Sequence, residues 1–303
     1  MDIYQGSVVV MDRLAFRQWQ SGLLVVVAST CLLLSFFHVN LDVDNPTVMF
    51  IMVCAIMVLG VPHGALDYSL AVNGLGLVSM SRKIQFLLFY LTIVLLSIGL
   101  WLLSPISGFL LFMLMSVWHF SEDWSFDMGD RRHCAIAVWL ITMPALLKPN
   151  EFNDILSVLW LSTGQIEIVT IASQFTAIAA TAFVLFAYKR ENIVLYLELI
   201  ALLIILTQGG ILQYFTAYFC IIHSPLYVRR FVVKIPMKRT EMLFQLIAIM
   251  IATVMLLGAL WWLSDVYQID VGIYAWLFIG LFALTVPHML LVEKCFIKAS
   301  YKA

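Results

Sequence analysis

A chain of 303 residues that is 63% hydrophobic and 12% charged, with a mean hydropathy of +1.00, carries more apolar surface than a water-soluble core can absorb; soluble domains run nearer half apolar and a quarter charged. Its net charge of -1, from 17 Lys and Arg against 18 Asp and Glu, offers no basic field for a polynucleotide to follow, so nucleic acid is excluded as a partner and a lipid bilayer is the implied surroundings. The five cysteines (Cys31, Cys54, Cys134, Cys220, Cys295) form no C-x-x-C pair and read as small hydrophobes, with no disulfide or zinc framework.

Windows of about twenty apolar residues place spans in chain order near 22–38, 47–66, 84–103, 105–121, 134–147, 167–188, 192–207, 209–224, 242–263 and 271–293. The first follows Arg13 and Arg17 but runs into Phe37-His38-Val39-Asn40, with no small-residue cleavage site, and so reads as an uncleaved span. Ser104-Pro105 and Gln208-Gly209-Gly210 predict tight hairpins between neighbouring spans, which leaves the count at eight to ten. With the N-terminus inside, 16 of the 17 basic residues fall on one face and only Lys148 on the other, which instead collects Asp42, Asp44, Glu151, Asp154, Asp265 and Asp270. The positive-inside rule then predicts both termini in the cytoplasm. The expected fold is all-α: one polytopic transmembrane helical bundle over residues 1–303, a multi-pass protein of the cell membrane.

That topology, drawn from Lys and Arg alone, sets His63, His119, His223 and His288 near the cytoplasmic ends of the second, fourth, eighth and tenth spans. One membrane histidine is as readily a hydrogen-bonded packing residue as a ligand. Four at one depth point to a shared metal site, because neutral imidazole is the usual protein ligand of iron, copper and zinc, and bundles build such sites from facing helices. His38 falls on the opposite side, and His133, beside Arg131 and Arg132, reads as a solvated loop-edge residue.

Both His63 and His119 are followed four residues later by an aspartate, Asp67 and Asp123, which on a helix shares the histidine's face. A carboxylate that accepts an imidazole N–H orients the ligand and balances the metal's charge, so both are candidates to stand behind the ligands; the bland alternative is that they mark where helix meets headgroups. Proline adjoins three of the histidines (Pro62-His63, His223-Ser224-Pro225, Pro287-His288) and removes a backbone donor each time. With Ser224 as a cap and Pro225 at the first helical position, the eighth span is expected to break just after His223. Glu198 falls mid-way along the seventh span, as a proton-handling group or as a carboxylic acid bonded to a neighbouring helix.

The sequence holds no H-E-x-x-H, no P-loop, no G-x-G-x-x-G and no G-x-S-x-G, and it falls short of the histidine clusters of membrane di-iron desaturases. Haem clamped by pairs of histidines stays open at this point.

Four motifs, Gly60-Val61-Pro62-His63-Gly64-Ala65-Leu66-Asp67, Trp118-His119-Phe120-Ser121-Glu122-Asp123, His223-Ser224-Pro225 and Pro287-His288-Met289-Leu290-Leu291-Val292-Glu293, resemble in order, spacing and membrane setting the Brp/Blh family of beta-carotene 15,15'-dioxygenases. The resemblance implies a site for one ferrous iron, Fe(II), and addition of dioxygen across the central double bond of beta-carotene to give two retinals. It implies His63, His119 and His223 as ligands. The family's third motif reads H-S-x-x-H with its second histidine also a ligand; here that position is Tyr227, so the set is completed by His288, by Tyr227 itself, or not at all. A retinal-binding opsin is a partner the resemblance suggests. The competing readings are a carotenoid or retinal carrier, or opsin-assembly protein, with an incomplete iron site, and a transporter relaying protons through Glu198 and the histidines.

Overall fold

The structure is a computed structural model that describes residues 13–39, 41, 45–60, 62–124, 133–187, 193–235, 237–266 and 273–297. These residues are helical, with no strand among them: α1 (Arg13–Phe36), α2 (Pro46–Ala55), α3 (Pro62–Ala65), α4 (Asp67–Ser69), α5 (Met80–Leu103), α6 (Pro105–Ser121), α7 (His133–Leu147), α8 (Pro149–Val158), α9 (Thr163–Ala187), α10 (Ile193–Gln208), α11 (Ile211–Ala217), α12 (Ser224–Lys234), α13 (Arg239–Val266) and α14 (Ile273–Val292). Every one of the ten apolar stretches read from the sequence is built on helix. Four helices are long and apolar enough to cross a membrane, Leu14–Phe36, Met80–Leu103, Thr163–Phe186 and Phe278–Cys295, and shorter apolar helices occupy His133–Leu147, Ile193–Gln208 and Thr240–Ala252. Their outward faces suit lipid: Leu88, Leu96, Phe175 and Phe186 are all exposed.

The expected hairpin at Ser104-Pro105 forms, with Pro105 at the first turn of α6. It is tight because residue 108 is glycine: a Cβ there would sit 3.0 Å from the Trp101 Cα. Between the fifth and sixth spans, where the sequence predicts no crossing, α8 forms instead, starting on Pro149 and burying Phe152 and Leu156.

Among the described residues four π-helical turns interrupt the α-helices, at Ile56–Gly60, Leu70–Gly74, Tyr218–His223 and Glu293–Ile297. Each holds an extra residue in the turn and re-aims the side chains after it, a feature concentrated at functional sites. One of them corrects the expected break after His223. The chain runs from α11 through the π-helical turn into α12 with helical dihedrals at His223 and Ser224. Ser224 caps nothing; its hydroxyl donates to the Leu59 carbonyl at 2.5 Å, tying this turn to Ile56–Gly60. The missing Pro225 donor is absorbed by the widened turn and by a side chain from α1.

The main core joins α1, α5 to α11 and α14, around Trp101, Phe109, Leu140, Leu202, Tyr218 and Phe282. A smaller one, Leu66, Leu70, Tyr227, Phe231 and Leu291, lies behind Asp67.

Candidate metal centre

His119 occupies the last turn of α6, His223 ends the π-helical turn Tyr218–His223, and His288 follows Pro287 within α14; all three are buried. The structure brings them together. The His119 ring meets His223 edge-to-face at 4.6 Å between centroids and His288 edge-to-face at 5.1 Å. The side chain of His63 lies outside the described residues. Its backbone belongs to α3, which packs against α12, α13 and the turn Ile56–Gly60.

Phe219 stacks on His223 at 5.4 Å, and Phe120 meets it edge-to-face at 4.9 Å. Gly60 makes room for Phe219, since a Cβ on residue 60 would lie 2.8 Å from that ring. The first motif's glycine thus lets two π-helical turns close on one another beside the histidines.

Both aspartates are buried, and each bonds to an imidazole from a distant segment of the chain. Asp67 Oδ1 accepts from Nδ1 of His288 at 2.7 Å, and Asp123 Oδ2 from Nδ1 of His223 at 2.8 Å. The four-residue spacing fails as a guide because α-helix does not run on from either histidine: α3 ends at Ala65, and a 3-10 turn, Glu122–Trp124, begins after Ser121. Tyrosine hydroxyls hold the carboxylates in place, with Tyr90 donating to Asp67 at 2.8 Å and Tyr218 to Asp123 at 2.6 Å. Burial pushes the Asp123 carboxyl upward, but His223, Arg230 and the hydrogen bonds more than offset this and hold it below the usual carboxylate range. Its neighbour Glu122 turns the other way, toward Arg230 at 3.3 Å, and burial raises its carboxyl. Asp127 lies outside the described residues.

Tyr227, at the position where the resemblance calls for histidine, packs its ring 5.0 Å from His288 and donates its hydroxyl to Asp67 at 3.3 Å. It supports the His288–Asp67 pair from behind.

Glu198 is fully buried, but at the histidine end of its helix instead of mid-span. It sits in the second turn of α10, where Arg17 reaches it at 2.5 Å, Ser21 donates at 2.6 Å and the Trp124 indole at 3.4 Å. Composition reading used Arg17 only as a topology marker. Arg17, Gln20 and Ser21 at i, i+3 and i+4 share one face of α1, and that spacing is the signal the sequence offers.

A carboxylate acceptor keeps the proton on Nδ1, so His223 and His288 each carry their lone pair on Nε2, at the far edge of the ring. Two buried carboxylates also match the two charges of a divalent ion, which imidazoles alone would leave uncompensated. The donor set therefore fits a first-row divalent metal. Among the described residues no group of three or more His, Cys, Asp or Glu side chains is arranged to hold a metal ion; the rings of His119, His223 and His288 are neighbours.

Comparison with known proteins bears on these observations. The sequence pattern of a family described as Beta-carotene 15,15'-dioxygenase matches residues 54–295, the stretch that holds all four motifs. A protein of an uncultured marine bacterium named Beta-carotene 15,15'-dioxygenase is 27% identical over 269 residues, covering 80% of this chain and 91% of its own length. No solved structure matches.

Proposed function

Because the chain belongs to the beta-carotene 15,15'-dioxygenase family, we propose that it is an Fe(II)-dependent membrane enzyme that cleaves the central double bond of beta-carotene with dioxygen to give two retinals. The observation that carries the iron assignment is the pair of buried His–Asp couples, His223–Asp123 and His288–Asp67, flanking His119. His63, His119, His223 and His288 are the proposed ligands, with His288 supplying the nitrogen absent at Tyr227. Asp67 and Asp123 hold the imidazole protons on Nδ1 and leave Nε2 for the metal. Tyr90, Tyr218 and Tyr227 fix the carboxylates in turn.

Bound iron supplies the one-electron chemistry that lets ground-state dioxygen react with a closed-shell polyene. The reaction balances without a further reductant: the carbon–carbon double bond breaks and each carbon takes one oxygen atom as an aldehyde. The protein's share is geometry and dryness. Rings of Phe120, Phe219 and Tyr218 wall the histidines on one side and exclude water from the reacting carbons. In the proposed setting ten helices cross the cell membrane, both termini face the cytoplasm, beta-carotene enters from the bilayer, and a retinal-binding opsin receives the product.

Metal analysis of the purified protein, together with expression in cells that make beta-carotene, tests this. The expected result is about one iron per chain, loss of orange colour and accumulation of retinal. Iron-free, well-folded protein in cells that stay orange overturns it in favour of a carotenoid or retinal carrier, the reading that Tyr227 supports. Iron-loaded protein that leaves beta-carotene intact places the activity on a different carotenoid.

A further inference from the structure

The family match begins at residue 54, yet the contacts that hold the His223 turn come in part from α1, residues 13–36. The Ser224 N–H closes the π-helical turn on the Phe219 carbonyl, and where α-helical register resumes after it the N–H of residue 225 would be aimed at the carbonyl of residue 221. Residue 225 is proline and has none. A carbonyl left so in a buried place costs about 1–3 kcal/mol. Gln20, fully buried in α1, fills the gap: its amide donates to the Ile221 carbonyl at 2.6 Å and to the Ile222 carbonyl at 3.0 Å. The residue after Ile222 is His223.

One turn earlier on α1, Arg17 forks. One arm meets Glu198 at 2.5 Å and the other donates to the backbone carbonyl of Asp123 at 3.1 Å, while the guanidinium lies over the Trp124 ring at 5.8 Å. The turn so held carries the carboxylate that orients His223.

We propose that α1 is a positioning element of the metal centre: Gln20 replaces the donor that Pro225 lacks, and Arg17, anchored by Glu198, fixes the turn bearing Asp123, so that His223 is held by its backbone and by its carboxylate at once. The inference rests on the ligand role given to His223 above. It makes α1 part of the site through the backbone beside His223 and the turn bearing Asp123.

The test uses the full chain in lipid and compares Gln20→Leu, Pro225→Ala and the double variant. Two readouts are taken: hydrogen–deuterium exchange over residues 218–227 without added metal, and ferrous-iron affinity by chelator competition. Gln20→Leu is expected to speed exchange in that stretch and to weaken iron about tenfold, the lower end of the effect of losing an outer partner. Pro225→Ala in the same chain restores the missing N–H and should recover both. That rescue separates the proposal from general loss of stability. Exchange and affinity unchanged in Gln20→Leu, or a double variant no better than the single, overturns it. Arg17→Lys gives an independent arm, keeping the charge for Glu198 while losing the fork to the Asp123 carbonyl. It should lower iron affinity severalfold with an unchanged melting temperature; unchanged affinity overturns the Arg17 half. If the parent protein binds no iron, the ligand assignment fails, while the exchange data still decide whether Gln20 holds the turn.

Discussion

At the end of the bundle away from the histidines, Glu151 on α8 reaches across to α11 and accepts the Ile211 backbone N–H at 2.8 Å; at the histidine end, Asp123 and Asp67 accept from imidazole side chains at 2.8 and 2.7 Å. Other bonds at the far end are of the first kind too, beside a side-chain pair in which Thr170 donates to Asn153 at 2.6 Å. Gln174 donates to the Ala145 carbonyl at 3.1 Å and Gln213 to the Leu41 carbonyl at 2.5 Å. Gly210, at a φ of +121° and unable to cap α11 with a side chain, leaves that role to Glu151, whose charge also suits a helix N-terminus. Glu151, Gln174 and Gln213 are spent on a helix end and on stray carbonyls. At the histidine end carboxylates, tyrosines and imidazoles bond to one another. A carboxylate that satisfies the backbone finishes the fold; one that satisfies an imidazole leaves that ring a second nitrogen for chemistry.

The sharpest way to break this contrast is to remove an imidazole. His223→Ala and His288→Ala should each abolish iron binding and retinal formation, His288→Ala as thoroughly as His63→Ala, measured by metal content of purified protein and retinal in carotene-producing cells. Iron retained by His288→Ala would reduce that end of α14 to packing. Next in size, Asp67→Asn and Asp123→Asn keep the shape and lose the charge, and should weaken iron affinity or turnover by about 10–100-fold without abolishing either; unchanged iron and turnover would make the carboxylates structural, like Glu151.

Gly60→Ala pushes a methyl against Phe219, the ring stacked on His223. Overpacking of this kind costs about 1–3 kcal/mol, and because the strain reaches the histidine, iron affinity should fall with melting temperature. Glu151→Ala is the matching change at the other end. Loss of a helix-terminal acceptor costs about 0.5–2 kcal/mol, seen as a lower melting temperature with iron affinity intact; a parallel loss of iron would show that the two ends are coupled. Smallest of all, Tyr227→His gives up a 3.3 Å hydrogen bond and places a further imidazole beside His288. Activity should hold or rise. A large loss would make the Tyr227 hydroxyl essential to the Asp67–His288 pair.

The helices were legible because apolar runs of helical length have few alternatives when backbone groups must bond within their own segment. Each of the ten stretches is built on helix, and His119, His223 and His288, three of the four histidines that the Lys and Arg pattern predicts at one depth, lie together. Asp67 and Asp123 were legible as partners by residue type. Their actual histidines, His288 and His223, were not, since a four-residue rule presumes an unbroken helix. Glu198 reads from the sequence as a proton-handling group or as an acid bonded to a neighbouring helix, and only the structure supplies Arg17 and Ser21 of α1 as its partners.

What the sequence determined by itself was thus an all-helical chain rich in apolar helices, because hydropathy and charge act along the chain and are summed locally. Tertiary structure alone decided that the helix passes Pro225 without breaking, that Gln20 answers the Ile221 carbonyl, and that Tyr227 backs a histidine from another helix. The reason is that a buried donor or acceptor must be satisfied by whichever group lies nearest in space, and the partners of Gln20 and Glu198 lie 201, 181 and 177 residues away along the chain.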